Sequence, residues 1–382
     1  MIIIQLAGGL GNQMFQYALY LQLENLGRTV KIDDESGFVQ DKQRVPALAG
    51  FGVTYERPSR KELEEMLDSS PLLYHKIHRK LCGRKKKSYF EADKSYKPEI
   101  LQWDDIYLEG YWQTEKYFRA ISEQVRTVFD TDRLLQYIRK KVRRSFADES
   151  VQKENIQEEN TRKEIARKES VRRESTGERI ETDEDESSLT GGRTLQEWLE
   201  RIDSTESVSV HIRRGDYLLP ENQELFGGIC TEAYYRTAME RMMKRYPGCV
   251  FYLFTNDKQW AQQWTRSLIG SKPGCGSGMV NSPGAGACME EAKIEIVDMT
   301  DIEDDGPDRD YAEFVLMSRC RHNILANSSF GWWASYLNRN PDKTVLVPDR
   351  WLNGWDCKDF YREDMIRIAT AAIPEHNSEV EG

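Results

Sequence analysis

Apolar residues follow two rhythms along this chain. Short unbroken runs such as "IIIQLA" and "CVFYLF" alternate with longer stretches in which apolar positions recur at helical spacing. Short runs of this kind suit buried parallel strands, and the longer pattern suits helices with one face on a core. The N-terminal stretch predicts a strand over "IIIQLA", a glycine turn, a helix over "NQMFQYALYLQLENLG" closed by Gly27, and a strand over "TVKID". After about residue 205 the alternation is clearer. Strands are predicted at "SVSVHI", "CVFYLF", "IEIVD", "NILAN" and "TVLVP". The helices between and after them are "TEAYYRTAMERMMKRYPG", with Thr231 as N-cap, then "KQWAQQWTRSL", "DYAEFVLMSRC" and "SFGWWASYLN". Strands alternating with helices of this length imply parallel sheets covered on both faces, and two such regions imply an α/β protein of two Rossmann-like domains facing a cleft. The expected division is 1–145 for the first domain and 191–382 for the second.

Within "SVSVHIRR" the period of two sorts the side chains. Val208, Val210 and Ile212 share one face, expected to be the packed one, while Ser207, Ser209, His211 and Arg213 share the other. Arg214 continues the apolar parity and is expected to turn away, into a pair with a carboxylate.

Two segments break the rhythm. Within the segment 146–190, residues 147–186 are dominated by Asp, Glu, Lys and Arg and carry no aromatic side chain, so they cannot bury enough apolar surface to fold alone. A solvated helix or a disordered insert is expected there, without a catalytic role. Residues 270–288, "GSKPGCGSGMVNSPGAGAC", read as a glycine- and proline-punctuated surface loop inserted in the second domain.

Composition narrows the function. The 382 residues carry a net charge of −10, which disfavours nucleic acid as a partner. The basic cluster "HRKLCGRKKK" at 78–87 reads as a solvated face or loop. The start "MIIIQLAGGLGNQMF" has no basic leader, and no segment reaches about 20 consecutive apolar residues, so neither a signal peptide nor a transmembrane span is expected. The odd count of seven cysteines, without a Cys-x-x-Cys pair, fits free thiols and a cytoplasmic location.

Three motifs carry candidate chemistry. "GGLGNQ" at 8–13 follows the first strand and opens a helix. Gly9 and Gly11 allow backbone N–H groups at a helix N-terminus to approach an anion, and Asn12 and Gln13 add side-chain donors. The same turn, with Asp33 22 residues beyond Gly11, invites a dinucleotide reading, although Met14 stands where a third small residue belongs. A plain strand-to-helix turn is the bland alternative. "HIRRGDY" closes a strand, where open parallel sheets bind their ligands. Its arginines present planar forks suited to phosphate, with His211 and Asp216 alongside; an arginine merely paired to Asp216 on a loop is the alternative. "NILANSSFGWWASYL" runs from a strand into Asn327, Ser328, Ser329 and Phe330 at a helix start, as caps or as phosphate donors. Of Trp332 and Trp333 at least one belongs to the core. "DIEDDGPDRDYAE" fails as a calcium loop because Ala312 stands where the bidentate glutamate should be. No zinc, Walker or Gly-x-Ser-x-Gly motif is present.

In this order, "GGLGNQMFQYA", "HIRRGDY" and "LMSRCRHNILANSSFGWWASYL" resemble the α-1,2-fucosyltransferases of glycosyltransferase family 11, over roughly residues 1–130 and 205–360. The resemblance implies a GT-B-like fold with an acceptor-side N-terminal domain and a GDP-fucose-binding C-terminal domain. It implies GDP-β-L-fucose as co-substrate, inversion to an α-linked fucose on a galactose 2-hydroxyl, and neither metal nor cofactor. Arg213 would hold the diphosphate, with His211 and Asp216 beside it as the catalytic group. Gly9, Gly11, Asn12, Gln13, Arg214, Asn327, Ser328, Ser329 and Phe330 would bind substrate. A galactose-containing oligosaccharide would be the acceptor, and contact with lipid-linked glycans the one membrane association left open. The general base is unassigned. Two other readings stand beside this one, an NAD-dependent oxidoreductase and a non-catalytic glycan-binding protein.

Overall fold

The computed structural model describes residues 1–41, 44–69, 80, 86–144, 192–270, 289–302 and 306–370. The charged insert, the glycine-rich loop and most of the basic cluster at 78–87 lie outside these residues.

The first sheet contains β1 (Ile2–Gln5), β2 (Val30–Asp33), β3 (Ser88–Phe90) and β4 (Ile106–Glu109) in the order β2-β1-β4-β3, all parallel. The second contains β5 (Ser207–Ile212), β6 (Val250–Thr255), β7 (Lys293–Ile296), β8 (His322–Ile324), β9 (Val345–Pro348) and β10 (Met365–Ile368). Its order is β10-β9-β8-β5-β6-β7, again all parallel. The helices are α1 (Leu10–Asn25), α2 (Arg60–Met66), α3 (Ser122–Val128), α4 (131–144), α5 (Leu195–Asp203), α6 (Pro220–Phe226), α7 (Glu232–Arg245), α8 (Lys258–Gly270), α9 (Pro307–Arg319) and α10 (Ser329–Leu337). This is the two-sheet, GT-B-like α/β architecture expected from the sequence.

The strand order explains where the motifs meet. In the second sheet the chain runs outward through β5, β6 and β7, then returns to the other side of β5 as β8. In the first, β1 has β2 on one side and β4 on the other. Ligands in open parallel sheets bind at such reversals, outside the carboxyl ends of the strands. The glycine turn follows β1, "RRGDY" follows β5, and Asn327-Ser328-Ser329 follows β8.

One packing expectation is corrected. Val208, Val210 and Ile212 are buried, but Ser207 and Ser209 on the opposite face are also 0% exposed. β5 lies centrally in a parallel sheet with helices on both faces, so parity there separates two interiors rather than core from solvent. On the serine face, Asn323 Nδ2 of β8 donates to Ser209 Oγ at 2.7 Å.

The two sheets are also joined more closely than a cleft suggests. α1 and α10 are buried around almost their whole circumference, and one apolar cluster runs through both. The Phe15 ring lies 4.6 Å from Trp332 and 4.9 Å from Trp333, and both tryptophans are core residues. The cleft is therefore floored by the two helices whose N-termini open into it. Cys230, Cys249, Cys320 and Cys357 are free thiols, and no helix among the described residues is long and apolar enough to cross a membrane.

Candidate active site

A cavity of about 510 Å³ opens between the sheets, within the size range of ligand sites. Its walls include Gly9, Gly11, Asn12, His211, Arg213, Asp216, Asn327, Ser328, Ser329 and Phe330. Segments more than three hundred residues apart in sequence thus share one wall.

The contact between α1 and α10 is backbone to backbone. A Cβ on Gly11 would stand 2.5 Å from Ser329 C and 2.6 Å from Phe330 N, so only glycine allows this approach. Asn12 Oδ1 joins the helix starts by accepting from Ser329 Oγ at 2.7 Å and from Gln113 Nε2 at 2.6 Å. Ser328 caps α10, its Oγ accepting from Phe330 N at 3.4 Å. Two helix N-termini, each with first-turn N–H groups lacking helical partners, thus meet at one point of the cavity wall. Paired helix starts of this kind have the partial positive charge and free N–H donors that suit an anion.

The arginines behind "HIRRGDY" part company. Arg213 Nη2 donates to Asp216 Oδ2 at 2.7 Å, and its guanidinium lies 5.7 Å from the centre of the Tyr217 ring. Burial works against its charge, but Asp216 outweighs burial and holds its pKa above the ordinary arginine value. Arg214 is not on the cavity wall: its Nε donates to Asp257 Oδ2 at 3.1 Å, and its guanidinium covers Trp260 at 4.2 Å.

His211 is buried, with Nδ1 unpartnered among the described residues. Burial, helped by the Arg213 charge, pushes its pKa down to about 3, so the ring is neutral near pH 7. It can exchange a hydrogen bond with a ligand but brings no cationic proton. Gln13 differs from expectation. Its amide is fully buried and committed to backbone, Nε2 to Gly8 O at 2.8 Å and Val45 O at 2.9 Å, with Oε1 accepting from Ala47 N at 2.7 Å. It is not part of the cavity wall. The Asn327 side chain is committed too, Nδ2 donating to Trp351 O at 2.9 Å and Oδ1 accepting from the Cys230 thiol at 3.3 Å. Asp33, the residue a dinucleotide reading needs for a ribose, accepts instead from Tyr107 Oη at 2.7 Å and from the Glu35 and Ser36 amides. Only 3% of its surface is exposed, so it is closed to a ligand.

Several wall residues carry no sequence signal. Arg44, from the segment after β2, reaches Asp216 Oδ2 at 3.3 Å. Asp310, in the first turn of α9, is exposed to the cavity and forms no side-chain hydrogen bond among the described residues; burial of its surroundings raises its pKa against the pull of Arg213 and Arg44. One turn on, burial pushes the Glu313 carboxyl up to about 6 despite its 3.0 Å contact with Arg309 Nε. Neither acid stands out within "DIEDDGPDRDYAE", where the acidic run looks like a solvated helix start.

Residues 187–283 and 277–368 match the sequence profile described as Glycosyl transferase family 11. The chain is 24% identical to the alpha-1,2-colitosyltransferase of Escherichia coli over 94% of its own length and 95% of that protein's. It is 28% identical over 130 residues to galactoside alpha-(1,2)-fucosyltransferase 1 of Saimiri boliviensis boliviensis, a match covering 34% of this chain and 28% of the relative. Among solved structures, a mutant of Arabidopsis thaliana FUT1 in complex with GDP superposes with TM-score 0.40 and 10% identity, over 91% of this chain and 70% of that one. Residues 187–368 are thus similar in sequence to a glycosyltransferase family. The family is glycosyltransferase family 11, and the chain is also similar to α-1,2-colitosyl- and fucosyltransferases.

Proposed function

We propose that the protein transfers L-fucose from GDP-β-L-fucose to the 2-hydroxyl of a terminal galactose, with inversion and without a metal ion or cofactor. The observation that carries this reading is the convergence of Arg213 and the N-termini of α1 and α10 on one stretch of cavity wall. In such a transfer the acceptor oxygen bonds to the anomeric carbon as the bond from that carbon to the phosphate oxygen breaks. The bonding pair stays on the β-phosphate, and the hydroxyl proton leaves to a base. Negative charge therefore grows on the diphosphate, and preformed donors aimed at it lower the barrier. A fork-shaped guanidinium matches two phosphate oxygens, and the helix starts add partial positive charge. Guanine offers N1–H and N2–H donors, and the open carboxylate of Asp310 is an acceptor suited to them. A metal would otherwise neutralise the leaving group, and no cluster of three His, Cys, Asp or Glu side chains able to hold one occurs among the described residues.

The end-to-end match to a colitosyltransferase supports a second reading, with the same linkage and a colitosyl donor. The test is transfer to a β-galactoside from GDP-fucose and from GDP-colitose, with product linkage assigned by NMR and binding of GDP compared with NAD by calorimetry. The fucosyl reading requires GDP binding and an α-1,2 product from GDP-fucose. Exclusive use of the colitosyl donor would replace it with the second reading, and NAD binding without GDP binding would reject both.

A further inference from the structure

Among the described residues, Arg44 is the one arginine on the cavity wall that comes from the N-terminal sheet's side of the cleft. Its Nη2 shares a single oxygen, Asp216 Oδ2, with Arg213, at 3.3 Å against 2.7 Å. The other oxygen, Oδ1, is buried without a partner among the described residues. Two guanidiniums thus rest on one carboxylate, and the longer contact belongs to Arg44. A Cβ added to Gly9 would stand 2.8 Å from Arg44 Nη1, so the guanidinium lies against the turn that opens α1, at the point where the anion site begins.

The segment holding Arg44 is fixed from both sides of the cleft. From α1, Gln13 grips Val45 O and Ala47 N. From α9, Tyr311 Oη donates to Ala47 O at 2.7 Å and accepts from Gly50 N at 3.3 Å. A fully buried glutamine spent on a surface segment needs a reason, because burying an amide is costly unless its position matters or its bonds are complete. What Gln13 fixes is the backbone on the far side of Arg44 from β2.

We propose that Arg44 is a second guanidinium for the terminal phosphate of the nucleotide diphosphate, delivered from the N-terminal side, and that Gln13 is its positioning residue. This rests on the proposed GDP-sugar donor. Asp216 Oδ2 holds both cations. The diphosphate adds negative charge beside them, and Arg44 turns its fork to the β-phosphate while Arg213 keeps its shorter contact with Asp216. As the sugar departs, the bonding pair left on the β-phosphate oxygen meets two guanidiniums rather than one.

The test compares binding of GDP and of GMP, which lacks the β-phosphate, by calorimetry on the full chain. Wild type, Arg44→Met, Arg44→Lys, Gln13→Met and the Arg44→Met/Gln13→Met double variant are used, with melting curves confirming that each folds. Arg44→Met is expected to weaken GDP binding by about tenfold or more, the size of a lost charge-assisted contact, and GMP binding by less than about twofold. Arg44→Lys should recover part of the loss. Gln13→Met should lower the GDP-to-GMP preference in the wild-type background and leave it unchanged in the Arg44→Met background, since a positioning residue has nothing left to position. An Arg44→Met protein with the wild-type GDP-to-GMP ratio overturns the role of Arg44, whatever its stability. Equal effects of Gln13→Met in both backgrounds overturn the role of Gln13. If wild type binds no GDP, the donor reading itself fails, an outcome distinct from either.

Discussion

Gly11→Ala tests the meeting of the two helix starts with one methyl group. The added Cβ would lie 2.5 Å from Ser329 C, 2.6 Å from Phe330 N and 2.7 Å from Ser329 O. All three are backbone atoms in or next to the first turn of α10, so no rotamer change relieves the clash. Carbon contacts settle near 3.5–4.0 Å, so α1 and α10 must part by about 1 Å. Overpacking of this kind costs about 1–3 kcal/mol, and the better helix propensity of alanine returns at most about 1 kcal/mol. A net loss of about 1–2 kcal/mol is expected, a drop of a few degrees in Tm. The functional loss should be larger in proportion, because separation strains the 2.7 Å Ser329–Asn12 bond and moves both N-termini off a shared anion. A misplacement near 1 Å can cost about a hundredfold in rate, so kcat should fall by about ten- to a hundredfold. Gly9→Ala is the control: its Cβ meets the movable end of Arg44 at 2.8 Å and should cost less stability. Calorimetric melting, GDP titration and initial rates decide the matter. A Gly11→Ala protein with wild-type Tm and wild-type GDP affinity would refute the claim that the anion site depends on this approach.

Arg213→Lys keeps the charge but loses the fork, and turnover should fall by about two to three orders of magnitude, while Arg214→Lys, acting at Asp257 and Trp260, should cost less turnover and more Tm; the reverse order in rates would exchange the assignments. His211 has its folded pKa lowered from 6.5 to about 3, so on acidification the unfolded chain takes up this proton first. Its stabilising contribution is present above pH 6.5 and is lost as the pH falls toward about 3, by up to about 1.4 kcal/mol per unit. His211→Asn should flatten that part of the stability profile, and an NMR titration finding the ring near 6.5 in the folded protein would contradict this. Transfer should proceed unchanged in excess EDTA; activity abolished by chelation and restored by Mg²⁺ or Mn²⁺ would require a metal-assisted departure instead.

The alternation of apolar runs determined most of the element order by itself, because a strand buried on both faces and a helix on a core each write their period directly into the chain. Three motifs at strand ends likewise pointed to the wall of the cleft before any contact was visible. β3, β4 and β10 escaped that reading: "SYF", "IYLE" and "MIRI" follow directly on the charged residues "KKK", "DD" and "RED", so no apolar run stands out from its surroundings. Parity within β5 was legible, but what lay beyond each face was not, since a buried helix and solvent leave the same alternation of valine and serine. Only the tertiary structure decided which polar side chains are free for a ligand. Gln13 and Asp33 have the right chemistry and sit in the right motif, yet folding spends both on their own neighbourhood, through Val45, Ala47 and Tyr107. Arg44 and Asp310 sit in runs of ordinary polar residues and reach the cleft because the segment after β2 and the start of α9 close over it. Hydrogen-bond commitment and convergence across a cleft depend on pairings between residues far apart in sequence, and no local pattern encodes them.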